Sequence, residues 1–448
     1  MKKSILILTA AIVAVLPLKA GGQVNGLKPV GIARPEKESF SAAPYMAMTL
    51  SEAQQYAVEN NRTLKNASLD IRKARASKWQ AIASMLPQVK GSVDYSNTLG
   101  FKMSFGGQSI AMPPYATMGL QTAIAFNGAM VVATQVAGIS QKMADINFRQ
   151  TEKDLKDQVK TLYISALVSQ TTLLLMEESL ASLEKLYEIS VSSVKAGVSE
   201  QTDADQLQVQ VAGMENNVEY LKRSLEVIYN TIRLTLCLNE NTRIVLSDSL
   251  DTLIDLDSAG KLVGEEFDIT RNFSFQLLQQ STELARKQVA ISALSNTPTL
   301  SIFHQYSNKQ YFSDEKTMNM TPPNMIGATL SIPIFTSLKN SAAHKEAKIA
   351  YEKQLNTMAD TELALKLQHS QYVYNLTSAI EKYRTQKQSV EVAKRVFDNI
   401  GKKYEFGVAS ALELTNASTS LINAQSAYVE SLLQVVTAQI DLEKLLNN

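Results

Sequence analysis

The eleven prolines fall at 17, 29, 35, 44, 87, 113, 114, 298, 322, 323 and 333, leaving residues 115–297 and 334–448 without one. An interior proline removes a helical hydrogen bond and clashes with the preceding turn, so proline-free tracts of this length can hold very long helices. Only 18 glycines and 7% aromatic residues argue against an all-β sandwich or a glycine-rich nucleotide-binding sheet. The chain reads as mainly helical.

The first residues have the form of a secretory leader: Lys2 and Lys3, an apolar run from Ile5 to Leu16, then small residues around Ala20, Gly21 and Gly22. Residues 1–22 are therefore set apart as a signal peptide, with 23–47 as an extended, proline-bearing arm. Beyond the leader no uninterrupted apolar stretch of the ~20 residues a membrane helix needs is evident, so a mature exported chain would be soluble or inserted through a β-barrel. The net charge of +1 becomes −2 without Lys2, Lys3 and Lys19, which removes any basic footprint for nucleic acid. The one cysteine, Cys237, excludes an internal disulfide and a cysteine zinc site; within an apolar helical run it reads as an inert thiol.

The sequence repeats itself. Pro87 and Pro298 are each followed eight residues on by Tyr-Ser-Asn, at Tyr95 and Tyr306; Pro113-Pro114 recurs as Pro322-Pro323, Phe126 as Phe335, and Ala196-Gly197-Val198-Ser199 as Phe406-Gly407-Val408-Ala409. Landmarks in one order at offsets of 209 to 211 mark a duplicated half. The halves are 48–239 and 268–448, with 240–267 as a linker. Each should open with a helix, 49–86 and 268–295, the first with a capping box from Thr49 to Glu52. A strand hairpin follows in each, 88–127 and 299–335, with alternation at Val89, Val93, Leu300 and Ile302.

Each hairpin leads into about 70 residues of helix, ~105 Å at the α-helical rise. In the first half Leu155, Val159, Leu162, Ala166, Ser169, Leu173, Met176, Leu180, Leu183, Tyr187, Ser190 and Val194 step by fours and threes, a heptad seam. In the second, Leu376, Ile380, Tyr383, Gln386, Val390, Ala393, Phe397, Ile400 and Tyr404 follow with one slip. Return helices keep the same spacing from Leu207 and from Ala417. Gly197 and Gly407 sit where antiparallel helices reverse, the left-handed cap that glycine occupies at least cost. Two shorter helices stacked end to end would then pair along each long one.

Four strands cannot close a barrel, and open edges are excluded in lipid, so a membrane reading requires several chains to share one barrel, two giving eight strands and three giving twelve. The other reading of pattern alone is a soluble hairpin packed on a helical bundle.

The duplicated helix–hairpin–long-helix plan, the run Ile332-Pro333-Ile334-Phe335 at the end of the last strand, and the Gly-Val tips resemble the TolC-type outer-membrane efflux family from about Thr49 to the C-terminus. The resemblance implies duplicated coiled-coil hairpins in an α-helical barrel, and four strands per chain in a shared 12-stranded transmembrane β-barrel. It implies a homotrimer in the outer membrane of a Gram-negative bacterium, most of each chain lying in the periplasm. This passive duct would carry exported small molecules or polypeptides from an inner-membrane pump and a periplasmic adaptor, with no cofactor. By the same resemblance Asp203, Thr202, Tyr404 and Glu413 form the entrance gate, Asp203 linking to Tyr404 and Glu413 forming an acidic ring. Gly197, Val198, Gly407 and Val408 would meet the adaptor, and Pro333 and Phe335 form the strand-end motif. Ala409 stands where the family pattern has a gate arginine and Asn416 where it has a second acid, and in the first half Ala125 stands near the place of Pro333, so the strand-end motif is only half kept.

Asp203 and Glu413 also lie in first helical turns, where the macrodipole alone favours an acid, and Tyr404 is also a seam position. The three histidines, His304, His344 and His369, are scattered, and no phosphate loop, zinc helix or nucleophile elbow occurs. An enzyme is not indicated; the competing class is an exported coiled-coil scaffold or adhesion protein without transport activity.

Overall fold

The computed structural model describes residues 45–447 apart from 100, 107, 112, 254, 255 and 313–321. The leader and most of the arm lie outside these residues. The order is β1 (Tyr45–Met48), α1 (Leu50–Asn60), α2 (Arg62–Ala83), β2 (Gln88–Ser96), β3 (Lys102–Phe105), β4 (Gln108–Ala111), β5 (Tyr115–Phe126) and α3 (Gly128–Lys195). Then come α4 (Gln201–Leu236), β6 (Arg243–Leu246), α5 (Leu250–Leu253), α6 (Leu256–Val263), α7 (Phe273–Leu294), β7 (Thr299–Tyr311), β8 (Asn324–Ser331), α8 (Lys339–Glu405) and α9 (Ala411–Leu446).

α3 and α8 run 68 and 67 residues, about 100 Å each. Every α3 and α8 seam position is buried or half-buried. The shorter helices pair along the long ones as expected: α2 and α4 against α3, α7 and α9 against α8. Lys78 of α2 donates to Gln141 near the start of α3 (3.3 Å), and Gln170 donates to Tyr229 of α4 further along (2.6 Å). Between the tips, an apolar core of Leu183, Leu186, Leu207, Met214, Phe397, Leu414 and neighbours joins all four helices.

The expected single opening helices are each interrupted. Asn61 adopts an extended backbone (φ −61°, ψ 129°) between α1 and α2, and Asn272 does the same (φ −69°, ψ 125°) between a 3-10 turn, Ile269–Arg271, and α7. A second departure is a small parallel sheet pairing β1 with β6, which takes the end of the expected arm and the start of the linker into the fold. Tyr163 of α3, 1% exposed, fastens it by donating to the Met48 carbonyl (2.9 Å) while accepting from the Asp248 amide (3.3 Å). Its phenol is pushed up to about 12, chiefly by burial.

The main sheet is antiparallel throughout, in the order β2-β5-β7-β8. The first connecting loop contains an additional hairpin, β3–β4. β8 ends at Ser331, so Pro333 and Phe335 lie beyond the strand rather than in it, with Phe335 81% exposed. Among the described helices α3 alone is long and apolar enough on average to cross a membrane, although polar residues such as Lys160, Ser169 and Gln170 interrupt its apolar run. Its seam is packed against neighbouring helices, as in a core helix.

Candidate functional site

The cross-strand register sorts the sheet into two faces. On one lie Val89, Val93 and Tyr95 of β2, then Met118, Leu120, Ile124 and Phe126 of β5, Leu300, Ile302 and Tyr306 of β7, and Ile326 and Leu330 of β8. On the other lie Lys90, Ser92 and Asp94, then Thr117 and Gln121, Ser301, Gln305, Ser307 and Lys309, and Thr329 and Ser331, with Tyr115, Phe303, Tyr311 and Met325 among them. All the Asp, Glu, Lys and Arg residues of these four strands, Lys90, Asp94 and Lys309, share the polar face; the apolar face carries His304 and two tyrosines, Tyr95 and Tyr306, but none of those four residue types. The four apolar residues singled out from sequence, Val89, Val93, Leu300 and Ile302, are on the same face.

The exposure of the faces is inverted relative to a soluble sheet, whose polar side faces water. On β7 the polar Ser307 is the sheltered residue at 9% exposure, while Leu300, Ile302 and Tyr306 stand 42–44% exposed. At the edges, β2 is exposed from Gln88 to Tyr95, and β8 everywhere except Gly327. Such a sheet, with an apolar outer face and two unpaired edges, suits a lipid-embedded wall.

The second candidate region is the pair of helical tips. Gly197 (φ 74°) and Gly407 (φ 69°) both take the left-handed conformation. Around each, paired backbone bonds close the helix: Gly197 and Val198 donate to Val194 and Ser193, Gly407 and Val408 to Tyr404 and Lys403. This is the Schellman arrangement, in which the residue after the C-cap must reverse handedness. Val198 and Val408 project into solvent, 76% and 75% exposed, with Phe406 (82%) beside them.

Asp203 and Glu413 occupy equivalent positions, third in α4 and third in α9. Their surroundings differ. Glu413 closes a capping box, accepting from the Ser410 amide while its own amide donates to the Ser410 hydroxyl, both at 3.2 Å. Asp203 follows Glu200, whose side chain makes no cap bond, and Thr202 donates to the Glu200 carboxylate (3.3 Å). The Asp203–Tyr404 bond implied by the family resemblance is not made within this chain: the Tyr404 hydroxyl is buried without a hydrogen-bond partner. The tips are instead bridged by Lys185 of α3 and Glu405 of α8 at 3.0 Å, a pair that helical spacing within either half could not reveal.

Sequence reading also missed a cluster at the end of the sheet farthest from the helices. The Lys309 ammonium lies 3.6 Å from the Tyr115 ring centre and 4.9 Å from that of Tyr311, and the two rings meet edge-on at 5.7 Å. The available signal was the alternation of β7, which gives Lys309 and Tyr311 one face.

Long coiled-coil hairpins with an inside-out antiparallel sheet define an outer-membrane channel protein of the α-helical and β-strand kind. The profile of the family described as outer membrane efflux protein matches residues 53–237 and 269–448, and the chain belongs to that family. It is similar to the outer membrane protein TolC of Vibrio cholerae, 20% identical over 404 residues covering 87% of this chain and 90% of the relative. It is also similar to the probable efflux pump outer membrane protein TtgC of Pseudomonas putida, 23% identical over 418 residues, covering 89% and 82%. Among solved structures, the outer membrane protein VceC of Vibrio cholerae superposes with a TM-score of 0.73 at 16% identity, covering 89% of this chain and 96% of that one. The protein is one of the Gram-negative outer membrane, with its long helices in the periplasm.

Proposed function

We propose that three copies assemble into a passive duct through the outer membrane and periplasm, opened at the helical tips by an adaptor and an inner-membrane pump. The observation that carries this reading is the inverted sheet. Strand direction alternates across β2, β5, β7 and β8, so the β8 edge of one copy can accept the β2 edge of the next in the same antiparallel sense, and rotation closes the wall. Three copies give twelve strands, within the range of bacterial outer-membrane barrels. The apolar face then meets lipid and the polar face lines the lumen.

At the tips, Gly197, Val198, Gly407 and Val408 form the surface that meets the adaptor. Asp203, Thr202, Tyr404 and Glu413 surround the constriction, whose opening moves the second-half helices about Gly407. Two features weaken this closure relative to the family pattern: Ala409 supplies no guanidinium, and Asn416 supplies no second acid beside Glu413. The cargo is a small molecule or a polypeptide delivered by the pump; energy comes from the pump.

The test is the detergent-corrected mass of full-length protein extracted from the outer-membrane fraction. A stable trimer is expected. A soluble monomer absent from that fraction would overturn the duct and leave an exported scaffold.

A further inference from the structure

We propose that Lys309, held by Tyr115 and Tyr311, is a selectivity-determining residue that gives the outer mouth of the duct a preference for anions; this rests on the duct reading above. Three observations lead there. First, Lys309 lies on the polar face, near the end of β7 remote from the helices, where the lumen would open outward. Second, its ammonium is fixed over an aromatic ring at 3.6 Å, and among the described residues no carboxylate pairs with it. A cation held by ring quadrupoles keeps its full charge and loses its freedom to swing away. Third, the polar face bears two lysines, Lys90 and Lys309, against one carboxylate, Asp94, and the register places Asp94 and Lys309 on either side of Thr117.

Each chain thus adds a net positive charge to the described part of the barrel lining, and rotational closure multiplies it. Walls of low dielectric focus such a field along the pore. The acids at the tips, Asp203 and Glu413, have the opposite sign. Ions would therefore meet a barrel favouring anions and an entrance favouring cations, and the measured selectivity would be their balance.

The experiment is the reversal potential of purified full-length protein in planar phospholipid bilayers under a potassium chloride gradient. Lys309→Gln should raise the potassium-to-chloride permeability ratio about two-fold at roughly 0.01–0.1 M salt, and the effect should vanish near 1 M, where the screening length shrinks to about 3 Å. Lys309→Arg should behave as wild type. Asp94→Asn should shift the ratio the other way, which gives a second reading should the glutamine variant fail to insert. Unchanged ratios in both Lys309→Gln and Asp94→Asn channels of wild-type conductance would overturn the inference while leaving the duct intact. A wild-type protein that forms no channel at all would overturn the duct reading, and this inference with it.

Discussion

Asn61 and Asn272 perform the same task 211 positions apart. Each interrupts a helix with an extended backbone, and each caps the next helix, Asn61 Oδ1 accepting from Thr63 and Leu64 and Asn272 Oδ1 from Phe275. Each then donates Nδ2 to the last turn of a return helix: Asn61 to the Thr235 carbonyl at 2.9 Å, Asn272 to the Leu445 carbonyl at 3.2 Å. Those carbonyls have no partner inside their own helix. One amide therefore ties the start of a short helix to the end of the helix stacked on it. Asn61→Ala should lose the cap and strand a buried carbonyl, costing about 2 kcal/mol. The unfolding midpoint of the detergent-solubilised protein should fall in both Asn61→Ala and Asn272→Ala, and an unchanged midpoint would remove the lock.

These two asparagines also show where sequence reading stopped. The seams were legible because a heptad repeats locally, and every α3 and α8 position named from spacing is at least half-buried. Gly197 and Gly407 were legible because a left-handed cap selects glycine. The breaks at Asn61 and Asn272 were not, since an asparagine inside a polar run costs a helix little, and the decisive bond comes from a carbonyl more than 170 residues away. The parallel pairing of β1 with β6 was hidden for the same reason: four-residue strands at Tyr45 and Arg243 carry no periodicity of their own. At the candidate site, sequence placed the tip residues, but it could not show that Glu413 is occupied by Ser410 or that the Tyr404 hydroxyl is enclosed without a partner.

The two faces of the sheet should respond oppositely to charge. Ile302 is 44% exposed on the apolar face, and a lysine there would have to enter hydrocarbon, at about 2–4 kcal/mol for a position near mid-membrane. Its neighbour Ser301 points to the polar side. Ile302→Lys should reduce the yield of folded, membrane-inserted protein, whereas Ser301→Lys should insert normally. Equal insertion of the two variants would contradict the assignment of faces.

Asp157 introduces a pH dependence outside the membrane part. It is 8% exposed in α3, with Oδ2 unpartnered and Oδ1 3.9 Å from Lys153. Burial raises its carboxyl above the ordinary aspartate range; Lys153 opposes this and Glu443 adds to it. With the folded value above the unfolded one, the folded state holds the proton more tightly, so stability falls as pH rises through the window above the ordinary value of 3.8. Asp157→Asn should therefore raise the melting temperature at pH 8, with the gain shrinking toward pH 4. A gain that is constant across this range would show that Asp157 titrates normally.

The tip glycines are constrained by conformation and not by space: beyond the adjoining residues, no atom lies within 4 Å of where a Cβ would stand at Gly197 or Gly407. Alanine at either should cost about 1–2 kcal/mol through left-handed strain alone. Asparagine, which tolerates that region, should cost less. Hydrogen exchange at the backbone amides of 198 and 408 would report the loss, since those amides complete the caps; equal protection in the glycine, asparagine and alanine proteins would remove handedness as the reason for glycine.

The acids at the tips can be separated by what each does for its helix. Glu413 is committed to the Ser410 capping box, so Glu413→Ala combines a cap loss of about 1 kcal/mol with any change at the constriction. Asp203 holds the same position in α4 but serves no capping box, and its helix should lose only about 0.5 kcal/mol of dipole stabilisation on truncation. A change in conduction in Asp203→Ala would therefore report the constriction rather than the fold. Its single-channel conductance in lipid bilayers should rise above wild type at an unchanged melting temperature. If conductance stays at the wild-type level, Asp203 has no part in closing the entrance and acts only as a first-turn acid.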